Sequence, residues 1–168
     1  MITGCYILTC YCKIEVFHSI MILLIQLRPE GFQILICQEC FVFDCAHTIH
    51  LDPENEFIDE SDYTAKLDLQ GPESAAVMTD AGLSLNILPD YYKFIIAKFA
   101  GANCLISRTG YTGELGYEIY LHTDDALKVW ETLLSDRRTK PAGLGARDTL
   151  RLEMAYPLYG HELNDETT

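Results

Sequence analysis

Positive charge is in short supply in this sequence. Twelve Lys and Arg stand against 25 Asp and Glu, a formal charge of −13 over 168 residues. Nucleic acid binding demands a basic face, so nucleic acid is excluded as a partner. Long apolar runs are also missing. The run Ile20 to Ile25 is bounded by His18 and Gln26, and a bilayer span needs about 20 apolar residues, so no membrane segment is expected. Met1-Ile2-Thr3-Gly4-Cys5 contains no basic residue, which argues against a secretory signal. The segment that follows is neither arginine-rich nor acid-poor, which argues against a matrix-targeting presequence. There is no GxGxxG after a strand pattern and no Walker loop, so dinucleotide-fold and P-loop readings are not supported.

Cysteine is scarce beyond residue 45. Cys5, Cys10, Cys12, Cys37, Cys40 and Cys45 precede that point and only Cys104 follows it. Cys37-Gln38-Glu39-Cys40 is a CxxC, with Cys45, His47 and His50 close behind. Tetrahedral zinc takes such ligands in pairs, but here the second pair begins too soon for the usual intervening finger. No metal is expected. Disulfides need an oxidising compartment, which the rest of the chain does not suggest, and buried thiols are the plain reading.

What is present falls into two pieces. Residues 1–45 are crowded with Ile, Phe, Leu and Val and offer one good turn signal, Arg28-Pro29-Glu30-Gly31. Through residue 50 the net charge is only −2, leaving −11 for the remainder. Asp52, Glu54, Glu56, Asp59, Glu60 and Asp62 read as a solvated loop. The expected division is therefore a divergent cysteine-rich segment over 1–48 and a folded domain over 49–168. Two origins fit the first piece: a strand pair that completes the sheet of the second, or translated sequence foreign to the gene it joins.

The second piece alternates strand and helix patterns. Ala65 to Leu69 has period two, a half-buried strand. Gln70-Gly71-Pro72 breaks it, and Pro72 suits the first turn of a helix over 73–81 that Gly82 ends. Tyr92 to Ala100 and Cys104 to Arg108 form a hairpin across Gly101-Ala102-Asn103. Tyr117 to Leu121 is a strand, Thr123 or Asp124 caps a helix running to Leu134, and Gly145 to Ala155 is a last helix. The expected class is α+β, a largely antiparallel sheet with helices packed on one face.

Two blocks carry chemistry. The first is Ile106-Ser107-Arg108-Thr109-Gly110-Tyr111-Thr112-Gly113-Glu114-Leu115-Gly116-Tyr117-Glu118-Ile119. Glycines reach backbone angles closed to other residues and let a ligand approach the main chain. Glu118 is then either an exposed strand glutamate or a carboxylate that receives two donors from a planar N–H-rich ring. Tyr111 either caps the core or stacks on the same ligand. The second block is Lys140-Pro141-Ala142-Gly143-Leu144-Gly145-Ala146-Arg147-Asp148-Thr149-Leu150-Arg151-Leu152-Glu153, followed by Tyr156-Pro157-Leu158-Tyr159-Gly160-His161-Glu162-Leu163. Arg147 and Arg151, at i and i+4, share a helix face. They read as a solvated basic stripe or as a pair that holds an anionic ligand and orders its neighbours. His161 reads as a loop histidine.

These blocks in this order, with the turn Leu69-Gln70-Gly71-Pro72 before them, resemble the aminomethyltransferase family of the glycine cleavage system, the T-protein, over residues 62–168. The resemblance implies a folate enzyme. Its substrate would be tetrahydrofolate, and its partner the lipoylated H-protein that carries the aminomethyl group. It implies that Glu118 and Arg147 contact the folate and that Tyr111 and Tyr156 line the same pocket. It implies a cytoplasmic location if the source is bacterial and the mitochondrial matrix if it is eukaryotic. The catalytic residue stays unassigned, because the family's GG-x-x-DD-type segment with its aspartate is not found in this sequence. The family also ends in a small β-barrel, so the chain looks like the middle of a longer enzyme. The alternative reading is a catalytically incomplete fragment or a folate-binding scaffold akin to dimethylglycine and sarcosine dehydrogenases.

Overall fold

The computed structural model describes the backbone of residues 5–10, 23–28 and 31–35, and residues 63–158, 161–164 and 166–167 in full. The expected boundary at residue 48 and the acidic run 52–62 lie outside the described residues. The chain divides into two units, residues 1–11 with 63–156 and residues 12–62 with 157–168.

Strand β1 (Cys5–Cys10) belongs to the first unit. The second unit contains a hairpin of β2 (Leu23–Arg28) and β3 (Gly31–Leu35), and the turn signal at Arg28-Pro29-Glu30-Gly31 falls between its strands. The rest of the first unit runs β4 (Thr64–Gln70), α1 (Ser74–Asp80), β5 (Phe94–Phe99), β6 (Ala102–Ser107), β7 (Gly116–His122), α2 (Thr123–Leu134), β8 (Thr139–Ala142) and α3 (Leu144–Glu153). Its six strands form one sheet in the order β5-β6-β7-β4-β1-β8. Every neighbouring pair is antiparallel except β1 and β8. The architecture is the expected α+β fold.

Local chemistry explains where the elements turn. Gly82, at φ +103°, lets the chain leave α1 in the left-handed region. The β5–β6 turn is Ala100-Gly101, with φ of 49° and 85°, the two-residue type whose twist matches a hairpin. The connection therefore lies earlier than Gly101-Ala102-Asn103, and Ala102 already pairs with Phe99. The cap of α2 is His122 rather than Thr123 or Asp124, because its ring Nδ1 accepts from the Asp124 amide at 3.3 Å. Strand β8, for which the sequence pattern gave no reading, contains Pro141. It lies at the sheet's edge, where a proline is tolerated.

Alternation then sorts side chains between two faces. On one face Leu67 and Leu69 of β4 join Ile106 of β6 and Ile119 and Leu121 of β7. Helix α1 adds Val77 and Met78, and α2 adds Ala126, Val129 and Leu133. Burying each large side chain is worth about 1.5–3 kcal/mol, so this layer dominates stability. The opposite face carries the polar residues of the same strands.

Candidate functional site

On β4, Lys66, Asp68 and Gln70 point away from Leu67 and Leu69. Register sets Asp68 opposite Glu118, Lys66 opposite Tyr120, and Gln70 opposite Gly116. The period-two reading left these positions to solvent. Instead Asp68 is 1% exposed and Glu118 0%, and the Lys66 side chain is 12% exposed. Charges removed from water must be paired, and here they are paired in series.

Arg147 on α3 donates from Nη1 to Asp68 Oδ2 at 3.0 Å. Lys66 Nζ lies 3.4 Å from Asp68 Oδ1 and 2.5 Å from Glu118 Oε1. The second oxygen of Glu118 accepts from the hydroxyl of Thr109 and, at 3.3 Å, from that of Tyr120. The result is a row of alternating sign: Arg147, Asp68, Lys66, Glu118. Burial alone would raise the Glu118 carboxyl, but the Lys66 charge and the hydrogen bonds from Lys66 and Thr109 outweigh it and hold it below its ordinary value. Asp68 moves the other way. Burial raises it, Lys66 and Arg147 oppose, and the neighbouring Glu118 adds to the rise. Lys66 is pulled down by burial and carried above its ordinary value by Asp68 and Glu118.

An aromatic group adjoins this row. The Arg147 guanidinium lies over the Tyr111 ring, 5.5 Å from its centroid. Tyr111 stacks on Tyr156, with centroids 5.4 Å apart and planes inclined by 25°. Arg151 does not form a solvated stripe with Arg147. It is 1% exposed and pairs with Asp148 through Nε at 2.8 Å and Nη2 at 2.6 Å. Its Nη1 donates to the Tyr156 carbonyl at 3.1 Å. It thereby holds the end of α3 and sets Tyr156 under Tyr111.

The glycine loop is tight for the protein's own side chains. A Cβ on Gly110 or Gly116 would collide with the side chain of Gln70. Gln70 is buried there, donating to the Thr109 carbonyl at 3.2 Å and accepting from the Thr112 hydroxyl at 3.2 Å. Gly71 N–H donates to the Leu115 carbonyl at 2.7 Å, which joins the Gln70-Gly71-Pro72 turn to the loop. Gly113 has φ +71°, and a Cβ there would meet Met154. So the loop's glycines make room for Gln70 and Met154, a different use from the ligand access read from sequence.

The four sequence-derived site residues, Glu118, Arg147, Tyr111 and Tyr156, thus belong to one connected group. Lys66, Asp68 and Thr109 belong to it as well and were missed. The signal for the first two was the unusual pair of opposite charges on one face of a short strand. Together they comprise two buried carboxylates, two cations and an aromatic stack. His161 lies in the second unit. Cys37, Cys40, Cys45, His47 and His50 lie outside the described residues. Among the described residues there is no metal-binding cluster of three or more His, Cys, Asp or Glu. No helix among them is long and apolar enough to cross a membrane.

Comparison with known proteins bears on this geometry. The profile of the GCVT N-terminal domain matches residues 21–168. The aminomethyltransferase of Halothermothrix orenii is 50% identical over 116 residues, covering 67% of this chain and 32% of its own length. That of Thermus thermophilus is 42% identical over 151 residues, covering 87% of this chain and 42% of its own. Among solved structures, the glycine cleavage system aminomethyltransferase T from Bartonella henselae superposes with a TM-score of 0.75 at 25% identity, over 94% of this chain and 53% of that one. A heterotetrameric sarcosine oxidase from Corynebacterium sp. U-96 shares the fold, with a TM-score of 0.51 at 20% identity over 76% of this chain and 60% of that one. The chain therefore spans about half or less of the length of the aminomethyltransferases it matches.

Proposed function

Because this chain belongs to the GCVT N-terminal domain family, we propose that it contributes the folate site of an aminomethyltransferase. In the proposed reaction, tetrahydrofolate attacks the aminomethyl group held on the lipoyl arm of the H-protein. The carbon gains bonds to two folate nitrogens and loses its bonds to nitrogen and sulfur. Ammonia and the reduced lipoyl thiol leave with the two folate N–H protons, and methylenetetrahydrofolate forms. The reaction belongs in the cytoplasm if the source is bacterial and in the mitochondrial matrix if it is eukaryotic.

The observation that carries this reading is the convergence of Glu118, Arg147, Tyr111 and Tyr156 on one group. Glu118 takes the amino group and adjacent ring N–H of the pterin, the two-donor geometry a carboxylate favours. Tyr111 and Tyr156 supply aromatic surface for the ring, and Arg147 contributes positive charge beside it. Such residues would bind and orient one reactant, and orientation is the larger part of catalysis in a reaction that joins two carried groups.

Titration calorimetry tests the reading. Tetrahydrofolate is expected to bind the chain weakly, and Glu118→Ala to weaken binding by at least about tenfold, since a lost charged hydrogen bond costs about 1.5–3 kcal/mol. Equal binding by both proteins would exclude the carboxylate role. A second reading, a folate-binding scaffold without turnover, is favoured by one observation: this sequence has no GG-x-x-DD-type segment. Tetrahydrofolate-dependent ammonia release from aminomethylated H-protein separates the two. No turnover is expected of this chain alone, because binding without alignment of both reactants leaves the barrier in place. A rate within about tenfold of a full-length enzyme would contradict that expectation.

A further inference from the structure

We propose that Lys66 is a resident competitor for the ligand-facing carboxylate: its ammonium occupies Glu118 in the ligand-free chain and must give up that contact before a pterin-type ring can take it. The inference rests on the folate reading of Glu118 and adds a residue that sets affinity and specificity at that site.

The geometry of the carboxylate carries it. Glu118 is 0% exposed. Its Oε1 faces Lys66 Nζ at 2.5 Å, and its Oε2 already accepts from Thr109 and Tyr120. A carboxylate offers about four lone-pair sites. Two of them are filled on one oxygen, and a full positive charge stands against the other. A ring that binds through two parallel donors needs one place on each oxygen, so it must displace Lys66 from Oε1 and one of the two hydroxyls, Thr109 or Tyr120, from Oε2. Neutral N–H donors compete poorly with an ammonium for a buried carboxylate, because the charged bond is the stronger. Affinity for a neutral ring is therefore held down by Lys66.

The same surroundings give Lys66 somewhere to go. It lies between two acids and remains 3.4 Å from Asp68. Its side chain is 12% exposed where Asp68 and Glu118 are at 1% and 0%. Its flexible four-carbon stem can turn the ammonium toward Asp68 and the surface. Arg147 stays on the far oxygen of Asp68, so that acid keeps a partner throughout. A ligand entering between Lys66 and Glu118 would redistribute charge along the row without stranding an acid.

The test is calorimetric titration of tetrahydrofolate into the wild type, Lys66→Met, Lys66→Gln, Glu118→Gln and the double variant Lys66→Met/Glu118→Gln, each shown by melting curve to be folded. Lys66→Met is expected to bind at least about tenfold more tightly than wild type, a change the loss of one competing charged contact can supply. Lys66→Gln, a neutral donor of similar reach, is expected to fall between them, and it keeps the test open if the methionine variant does not fold. The gain is expected to vanish in the double variant, which a general effect on folding would not produce. Binding by Lys66→Met equal to or weaker than wild type, while Glu118→Gln abolishes wild-type binding, would overturn this inference and leave the folate reading standing. A gain that persists in the double variant would also overturn it. Absence of binding in every protein would overturn both.

Discussion

On β4, Leu67 and Leu69 join an apolar layer with Val77, Met78 and Leu133, while Lys66 and Asp68, interleaved with them, enter a row of alternating charge. Both sets are buried, and both are placed by the same two-residue repeat. The apolar layer gains by area and tolerates small changes of shape. The charged row gains only while every member has its partner, because a single buried charge left alone costs more than the pair ever contributed. One face is built to be permanent. On the other, the proposed ligand would exchange with a resident partner, Lys66.

Substitutions can break that comparison, and the largest effect is expected on the charged face. Lys66→Ala leaves Glu118 and half of Asp68 without a cation, and should cost about 3–5 kcal/mol in urea unfolding. Adding Glu118→Gln should return part of that loss, and a double variant no more stable than Lys66→Ala alone would refute the serial pairing. On the apolar face, Leu133→Ala empties a fully buried site and should cost about 2–5 kcal/mol. No second substitution on the polar face should recover it. Gly116→Ala drives a Cβ into Gln70 and should cost about 1–3 kcal/mol by overpacking. Gln70→Ala should relieve part of this, at the expense of its bonds to Thr109 and Thr112; a double variant that loses the sum of both single costs would show that the collision is not what excludes a side chain there.

The smallest expected effect is a pH dependence. Burial raises the Tyr120 hydroxyl above its ordinary 10.0, with Lys66 opposing and Glu118 adding. The unfolded chain therefore ionises this tyrosine first, and stability falls as pH rises above 10.0. Lys66 titrates above its ordinary 10.5 in the folded chain, so its contribution is complete below that value and is lost as pH rises through the folded one. Urea midpoints measured from pH 8 to 11 should be level with respect to these groups up to about 10 and fall beyond it. The fall should be shallower in Lys66→Ala. An equally steep fall in that variant would remove Lys66 from the account.

Period and punctuation made the α+β plan legible. Alternation, a helical stripe and the Pro72 and Gly82 signals gave strands over 65–69 and 117–121, a helix over 73–81 and one ending at Leu134, which the structure places at 64–70, 116–122, 74–80 and 123–134. Glu118, Arg147, Tyr111 and Tyr156 were reached through the resemblance of their two blocks to the T-protein family. Alternation says which residues share a face but not whether that face is covered, so Lys66 and Asp68 were assigned to water. Their pairing depends on Arg147 and Glu118, both distant in sequence. The same limit hid Arg151, whose i, i+4 spacing from Arg147 suggested one stripe. The two guanidiniums serve different partners, Asp68 and Asp148. Strand β8 was not anticipated, and the sheet order shows it at an edge, where its Pro141 is tolerated.

The division of labour between the faces is tested most directly by the shift in melting temperature that tetrahydrofolate produces in wild type, Leu133→Ala and Glu118→Gln. A ligand that binds only the folded chain raises its melting temperature by an amount that grows with the logarithm of ligand concentration over Kd. The account predicts that Leu133→Ala melts well below wild type yet keeps the ligand-induced shift, while Glu118→Gln loses the shift even where it melts close to wild type. A shift that survives Glu118→Gln but disappears in Leu133→Ala would contradict it.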